Sequence, residues 1–162
     1  MRAKYRHLNP GRCVPELAVD KRVLVVDDEP WVADLVSQTL SDGGYEVRTV
    51  GDGESALQAV SDFRPDLVVL DVMLPKENGY RVSRKLKTGE TDNSGPAPKV
   101  LLLTGRRLDH DPDREKMFMD FSMADGLLYK PFDLDDLRRT VHQLFGDWLR
   151  NARQESNSRT IR

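Results

Sequence analysis

The sequence predicts an α/β domain in which one parallel sheet of five strands, in the order 2-1-3-4-5, is covered by helices on both faces. Three observations carry that prediction. Apolar runs alternate five times with amphipathic stretches between Lys21 and Leu149. Three of those runs, RVLVV, DLVVLD and KVLLLT, are almost wholly aliphatic, as strands buried on both sides of a parallel sheet must be. The chain has 162 residues, room for one ordinary core with some extra at the ends.

RVLVV, residues 22 to 26, reads as the first strand. From Pro30, the residues Trp31, Val32, Leu35, Val36 and Leu40 recur at helical spacing, with Pro30 suited to a first turn and Asp28 to its cap. SDGG, 41 to 44, stops that helix. YEVRTV is a half-buried strand, and 52 to 63 a short helix carrying Ala56, Leu57, Val60 and Phe63 on one side. Pro65 breaks it, DLVVLD follows as the third strand, and Asn78 to Lys87 gives a third helix. TGETDNSGPAP, 88 to 98, is a polar loop, long for a helix-to-strand connection. KVLLLT is the fourth strand, 111 to 123 the fourth helix, and LLY a short fifth strand. The last helix has an apolar stripe running from Leu134 through Leu137, Val141, Leu144 and Phe145 to Trp148 and Leu149.

These elements divide the chain into a flexible arm, 1–20, an ordered domain, 21–146, and a helix extension with a disordered polar tail, 147–162. Net charge is -2, from 25 basic and 27 acidic residues, so no global field recruits nucleic acid or an anionic membrane, and neither is expected as a partner. Cys13 is the only cysteine, which excludes an internal disulfide and a multi-cysteine metal site. The basic N-terminus lacks the apolar stretch of a signal peptide and no segment has the length of a membrane span, so a cytoplasmic protein is expected.

The acids sit where such a sheet binds ligands. In the order 2-1-3-4-5 the crevice opens beyond the carboxyl ends of strands 1 and 3, where the strand order reverses. Asp27 and Asp28 follow strand 1, Asp71 closes strand 3, Thr104 ends strand 4 and Lys130 follows strand 5. Two carboxylates about 5 Å apart repel by roughly 3 kcal/mol at an effective dielectric of 20, and three by up to roughly 10 kcal/mol before screening. That rivals the whole stability of a domain. A compensating cation is therefore expected. Oxygen ligands without His or Cys suit a hard ion, and so small a carboxylate set suits Mg²⁺. An aspartate so placed can act as nucleophile toward a phosphoryl group, with Lys130 supplying the remaining positive charge and the Thr104 hydroxyl a hydrogen bond. A cis peptide bond before Pro131 would turn the Lys130 ammonium inward. Alone, each of these residues has an ordinary reading: Asp27 and Asp28 as a helix cap, Asp71 as a turn residue, Thr104 as a strand residue and Lys130 as a surface charge. Their convergence on one sheet edge favours a site.

VLVVDDEPWV, DLVVLDVMLPKENGY, KVLLLTG and LLYKPFDLDDL resemble, in order and spacing, the receiver domain of two-component response regulators over about residues 21 to 146. The resemblance implies a flavodoxin-like fold and a phosphoacceptor signalling domain rather than an enzyme. It implies that Asp71 takes a phosphoryl group from a sensor histidine kinase or phosphotransfer protein. Asp27, Asp28, Asp71 and the backbone carbonyl of Met73 would hold Mg²⁺, with Thr104 and Lys130 drawn to the phosphate. The surface of helix 4, strand 5 and helix 5 would meet a downstream protein target or a second copy. With 16 residues after Gly146, a stand-alone regulator is expected. Two positions depart from the pattern: Leu127 stands where the family usually has an aromatic switch residue, with Tyr129 beside Lys130 instead, and Met123 stands where a glycine is usual. The resemblance also implies that Met73 and Arg106 occupy positions that affect phosphate hydrolysis, and their bulk is expected to prolong the phosphorylated state. Two other classes compete. A constitutive binding module would keep its partner affinity in Asp71→Ala, and an aspartyl-nucleophile phosphohydrolase would carry Asp-x-Asp after strand 1 instead of adjacent acids.

Overall fold

The computed structural model describes residues 5–9, 12–15, 20–90, 95–105 and 111–159, with side chains described over 20–90, 95–105 and 111–146. Five parallel strands form the sheet: β3 (Arg22–Val26), β4 (Glu46–Val50), β5 (Leu67–Asp71), β6 (Lys99–Thr104) and β7 (Gly126–Tyr129), in the spatial order β4-β3-β5-β6-β7. This is the predicted 2-1-3-4-5 order and the flavodoxin-like fold. β1 (Tyr5–Asn9) and β2 (Arg12–Pro15) pair antiparallel in a separate hairpin, with His7 opposite Cys13. The expectation of a flexible arm over 1–20 does not foresee it; the Asn9-Pro10-Gly11 sequence between the two strands has turn chemistry.

Period-2 alternation sorts the strand residues onto two helical layers. Val23, Val25, Leu67, Val69, Leu101 and Leu103 face α1 (Pro30–Asp42) and α5 (Leu134–Arg159). Leu24, Val26, Val68, Leu70, Val100 and Leu102 face α2 (Gly53–Phe63), α3 (Gly79–Thr88) and α4 (Pro112–Ser122). Four of the five helices have a local reason to start. The side chains of Asp52, Asn78 and Asp111 accept backbone hydrogen bonds from Ser55, Tyr80 and Arg114 as N-caps of α2, α3 and α4. At α1 the cap is Glu29 without a side-chain bond, so Asp28 does not take the capping role read from the sequence; Pro30 in the first turn sets the entry instead. α5 continues through Arg159, past the stripe and into the tail expected to be disordered. Ala152, Arg153, Gln154 and Glu155 are strong helix formers and no Gly or Pro interrupts the segment.

Candidate functional site

Strand register places the predicted residues. Val26 of β3 pairs with Leu70 of β5, so Asp27 and Asp71 leave adjacent strands at the same level. Thr104 closes β6 and pairs with Tyr129 of β7, which puts Lys130 one step beyond the same edge. The Lys130 amide donates to the Thr104 carbonyl oxygen at 2.8 Å, and the Lys130–Pro131 peptide bond is cis.

One carboxylate oxygen from each of Asp27, Asp28 and Asp71 lies within 4.8 Å of the other two. Asp27 and Asp71 are each only 3% exposed, whereas Asp28 faces solvent. Lys130 Nζ lies 2.9 Å from Asp27 Oδ2 and 3.6 Å from Asp71 Oδ1, and Glu29 Oε1 stands 4.0 Å away. Backbone amides hold both buried acids: Glu29 N donates to Asp27 Oδ1 at 2.9 Å and Met73 N to Asp71 Oδ1 at 3.2 Å. Asp71 Oδ1 thus meets both the Met73 amide and the Lys130 ammonium.

The charges explain the protonation tendencies. Burial, with the nearby charges of Asp27 and Asp28, pushes the Asp71 carboxyl above its usual range, against the opposing pull of Lys130 and the Met73 amide. Burial also works against the Lys130 ammonium, yet the hydrogen bond to Asp27 and the charges of Asp71, Asp27 and Glu29 outweigh it and raise its pKa. An unscreened carboxylate trio beside a single ammonium lacks positive charge. The donor set, three carboxylates with no His or Cys, fits a hard divalent ion such as Mg²⁺.

Two contributors are not evident from the sequence pattern. Gly79 opens α3, where a Cβ would stand 2.3 Å from the Asp71 carbonyl oxygen and 2.7 Å from Val72 Cα. Its amide donates to the Val72 carbonyl at 2.9 Å, closing the loop that follows the acid. Only glycine tolerates that approach. Glu29, the third acid of the run, accepts a hydrogen bond from the Trp31 indole at 3.1 Å, which steadies the carboxylate facing Lys130.

At the departures from the receiver pattern, Leu127 packs among the α2–α3–α4 face and Leu128 against the α1–α5 face. Tyr129 points to the α4 side, where its hydroxyl donates to Glu115. Met123 caps α4 in the left-handed region, φ +57°, the conformation glycine would take without strain. Met73 is exposed at the rim, and Thr104 is fully buried. Arg106, His110 and the His7 side chain lie outside the described residues, and His142 is exposed on α5.

Comparison with known proteins agrees with this geometry. Residues 23–142 match the response regulator receiver domain. The probable transcriptional regulatory protein TcrX of Mycobacterium tuberculosis is 40% identical over 115 residues, covering 71% of this chain and 45% of that protein. The DNA-binding dual master transcriptional regulator RpaA of Synechocystis is 37% identical over 123 residues, 76% of this chain and 48% of that protein. The chain thus spans about half the length of the curated relatives it matches. Among solved structures, the chemotaxis response regulator CheY4 of Vibrio cholerae superposes with a TM-score of 0.65 at 30% identity, over 76% of this chain and 97% of that one. The Thermotoga maritima response regulator DrrB gives 0.66 at 30% identity, over 78% of this chain and 53% of that one. With a match over residues 23–142 and an unbroken series of strand-end residues, the chain belongs to the response regulator receiver domain family.

Proposed function

We propose that this domain is a cytoplasmic phosphorylation switch in which Asp71 accepts a phosphoryl group from a phosphohistidine on a sensor histidine kinase or phosphotransfer protein. The observation that carries the reading is the joint placement of three carboxylates within 4.8 Å and the Lys130 ammonium among them. The Asp71 carboxylate attacks phosphorus, a P–O bond forms, the P–N bond breaks, and its electron pair passes to the imidazole nitrogen, which takes up a proton. Asp27, Asp28, Asp71 and the Met73 carbonyl would hold Mg²⁺, which when bound neutralises the phosphoryl oxygens. Lys130 covers the charge that remains, and the Thr104 hydroxyl, at the same edge, would receive one phosphoryl oxygen. The acceptor is modified rather than turned over on a separate substrate, so the domain is a signalling module.

The readout would be a protein target or a second copy meeting α4, β7 and α5. The transcriptional and DNA-binding names among the relatives run against the expectation, drawn from net charge, that nucleic acid is not a partner. Those names describe proteins of which this chain spans about half. Intact mass after incubation with acetyl phosphate and Mg²⁺ tests the reading: the wild type gains one phosphoryl group and Asp71→Asn gains none. Labelling that survives in Asp71→Asn, or is indifferent to chelation, contradicts it. Met73, 55% exposed beside the acceptor, is placed to hinder attacking water. Met73→Asn is expected to shorten the phosphate lifetime in a decay assay; an unchanged lifetime removes Met73 from the account.

A further inference from the structure

At the opposite, amino-terminal edge of the sheet, a second assembly of charge has no role in phosphoryl chemistry. Strands of five residues separate it from the acids by about 16 Å. We infer that the cleft there binds a small organic anion: a phosphate or carboxylate borne on a flat apolar body.

Four basic residues from distant parts of the sequence line this cleft against one acid. Lys21 and Arg22 lead into β3, Arg64 ends α2 and Lys99 begins β6; the acid is Asp66. The acid is already engaged. Its Oδ2 accepts the Arg22 amide at 2.9 Å, and Lys21 Nζ lies 3.8 Å from Oδ1. Lys99 leans on Asp125 at 3.5 Å. Neither the Arg22 nor the Arg64 guanidinium has a carboxylate partner among the described residues, and Arg22 lies instead over the Phe63 ring at 5.9 Å. These two guanidiniums are the groups in the lining that an anion would pair with.

The rest of the lining is apolar and conformationally restricted. Pro65, Pro96, Ala97 and Pro98 line an open cleft of ≈ 230 Å³, room for an anion with a small apolar part and less than a drug-sized ligand fills. Arg64 is held in place as the left-handed cap of α2, φ +50°, its amide bonded to the Val60 carbonyl at 3.0 Å. The two halves of the lining therefore call for two halves of a ligand. A guanidinium fork pairs with phosphate or carboxylate, and the exposed Pro96 and Ala97 offer an apolar face to a ring.

AMP supplies both halves in one probe, and inorganic phosphate and adenosine supply one each. Calorimetric titration of the full chain in EDTA, at roughly 150 mM salt so that long-range attraction is screened, is the test. AMP should saturate a single site and bind more tightly than phosphate or adenosine. Arg64→Asn with Lys99→Gln should weaken it about tenfold or more, since two charge-assisted contacts are lost. Asn accepts the left-handed backbone that Arg64 occupies, and a melting curve checks that the variant is folded. Arg64→Glu alone provides a second variant that leaves Lys99 and Asp125 paired. Asp71→Asn should bind AMP like the wild type, which keeps this outcome separate from the acceptor chemistry. AMP failing to saturate by about 10 mM, or binding equally well to both charge variants, overturns the proposal. Adenosine matching AMP overturns the anion half, and phosphate matching AMP overturns the apolar half.

Discussion

The centre of the sheet and its β7 edge are built to different standards. Every residue of β5 is buried, and so are all but the first of β3 and β6. Every residue of β7 is only half-buried, and α4, the helix against it, buries nothing but Ser122. Asp27 and Asp71 project from the first region and Lys130 from the second. Lys130 is thus a hinge in energetic terms: its ammonium is bound to acids of the rigid centre while its backbone belongs to the loosely packed edge. A new phosphate on Asp71 would change what that ammonium binds, and a loosely packed region attached to it is able to respond.

The comparison predicts an ordered set of effects. Leu102→Ala, in the centre, should cost about 2–5 kcal/mol in denaturant unfolding, whereas Leu127→Ala at the edge should cost clearly less. Equal losses would erase the distinction between the two regions. Tyr45 sharpens it from the well-packed α1–α5 side, where it is 8% exposed and stacks on Phe145 with ring centroids 5.3 Å apart. Burial pushes its hydroxyl up to about 12. The unfolded chain loses that proton near pH 10, so stability is whole below pH 10 and falls as pH rises toward 12, by at most about 3 kcal/mol. Tyr45→Phe should remove that slope from alkaline unfolding curves; an unchanged slope assigns it to another group.

Smaller effects belong to the edge. Tyr129→Phe removes the tie to Glu115 and should cost about 1 kcal/mol, seen as faster amide exchange in α4 with β3 and β5 unchanged. Exchange spreading into the centre would mean that the two regions open as one unit. Met123→Gly relieves the left-handed backbone at the end of α4 and should stabilise by up to about 1 kcal/mol; destabilisation would show that the Met123 side chain, 47% exposed, contributes more than its backbone costs.

The centre was legible in the sequence because burial on both faces leaves strands almost no choice but Val and Leu, and Pro65 and the Gly43-Gly44 pair mark where helices stop. From that frame the strand-end positions of Asp27, Asp71, Thr104 and Lys130 follow by topology alone. The approach of Gly79 to the Asp71 backbone does not follow, because a 2.3 Å clearance is a tertiary distance with no sequence periodicity. The Tyr129–Glu115 bond joins two weakly patterned elements, and the anion cleft gathers Lys21, Arg64 and Lys99 across three separate strand and helix ends. The pairing of Tyr5–Asn9 with Arg12–Pro15 and the continuation of α5 to Arg159 were missed for a related reason: short strand pairing and helix propensity act there without an apolar stripe to announce them.

Hydrogen exchange by mass spectrometry, with acetyl phosphate and Mg²⁺ present, measures the link between the two regions directly. The account predicts that amide exchange changes over α4 and β7 in the wild type, stays fixed over β3, β5 and β6, and does not change at all in Asp71→Asn. Identical exchange in wild type and Asp71→Asn, or a change confined to the central strands, would contradict it.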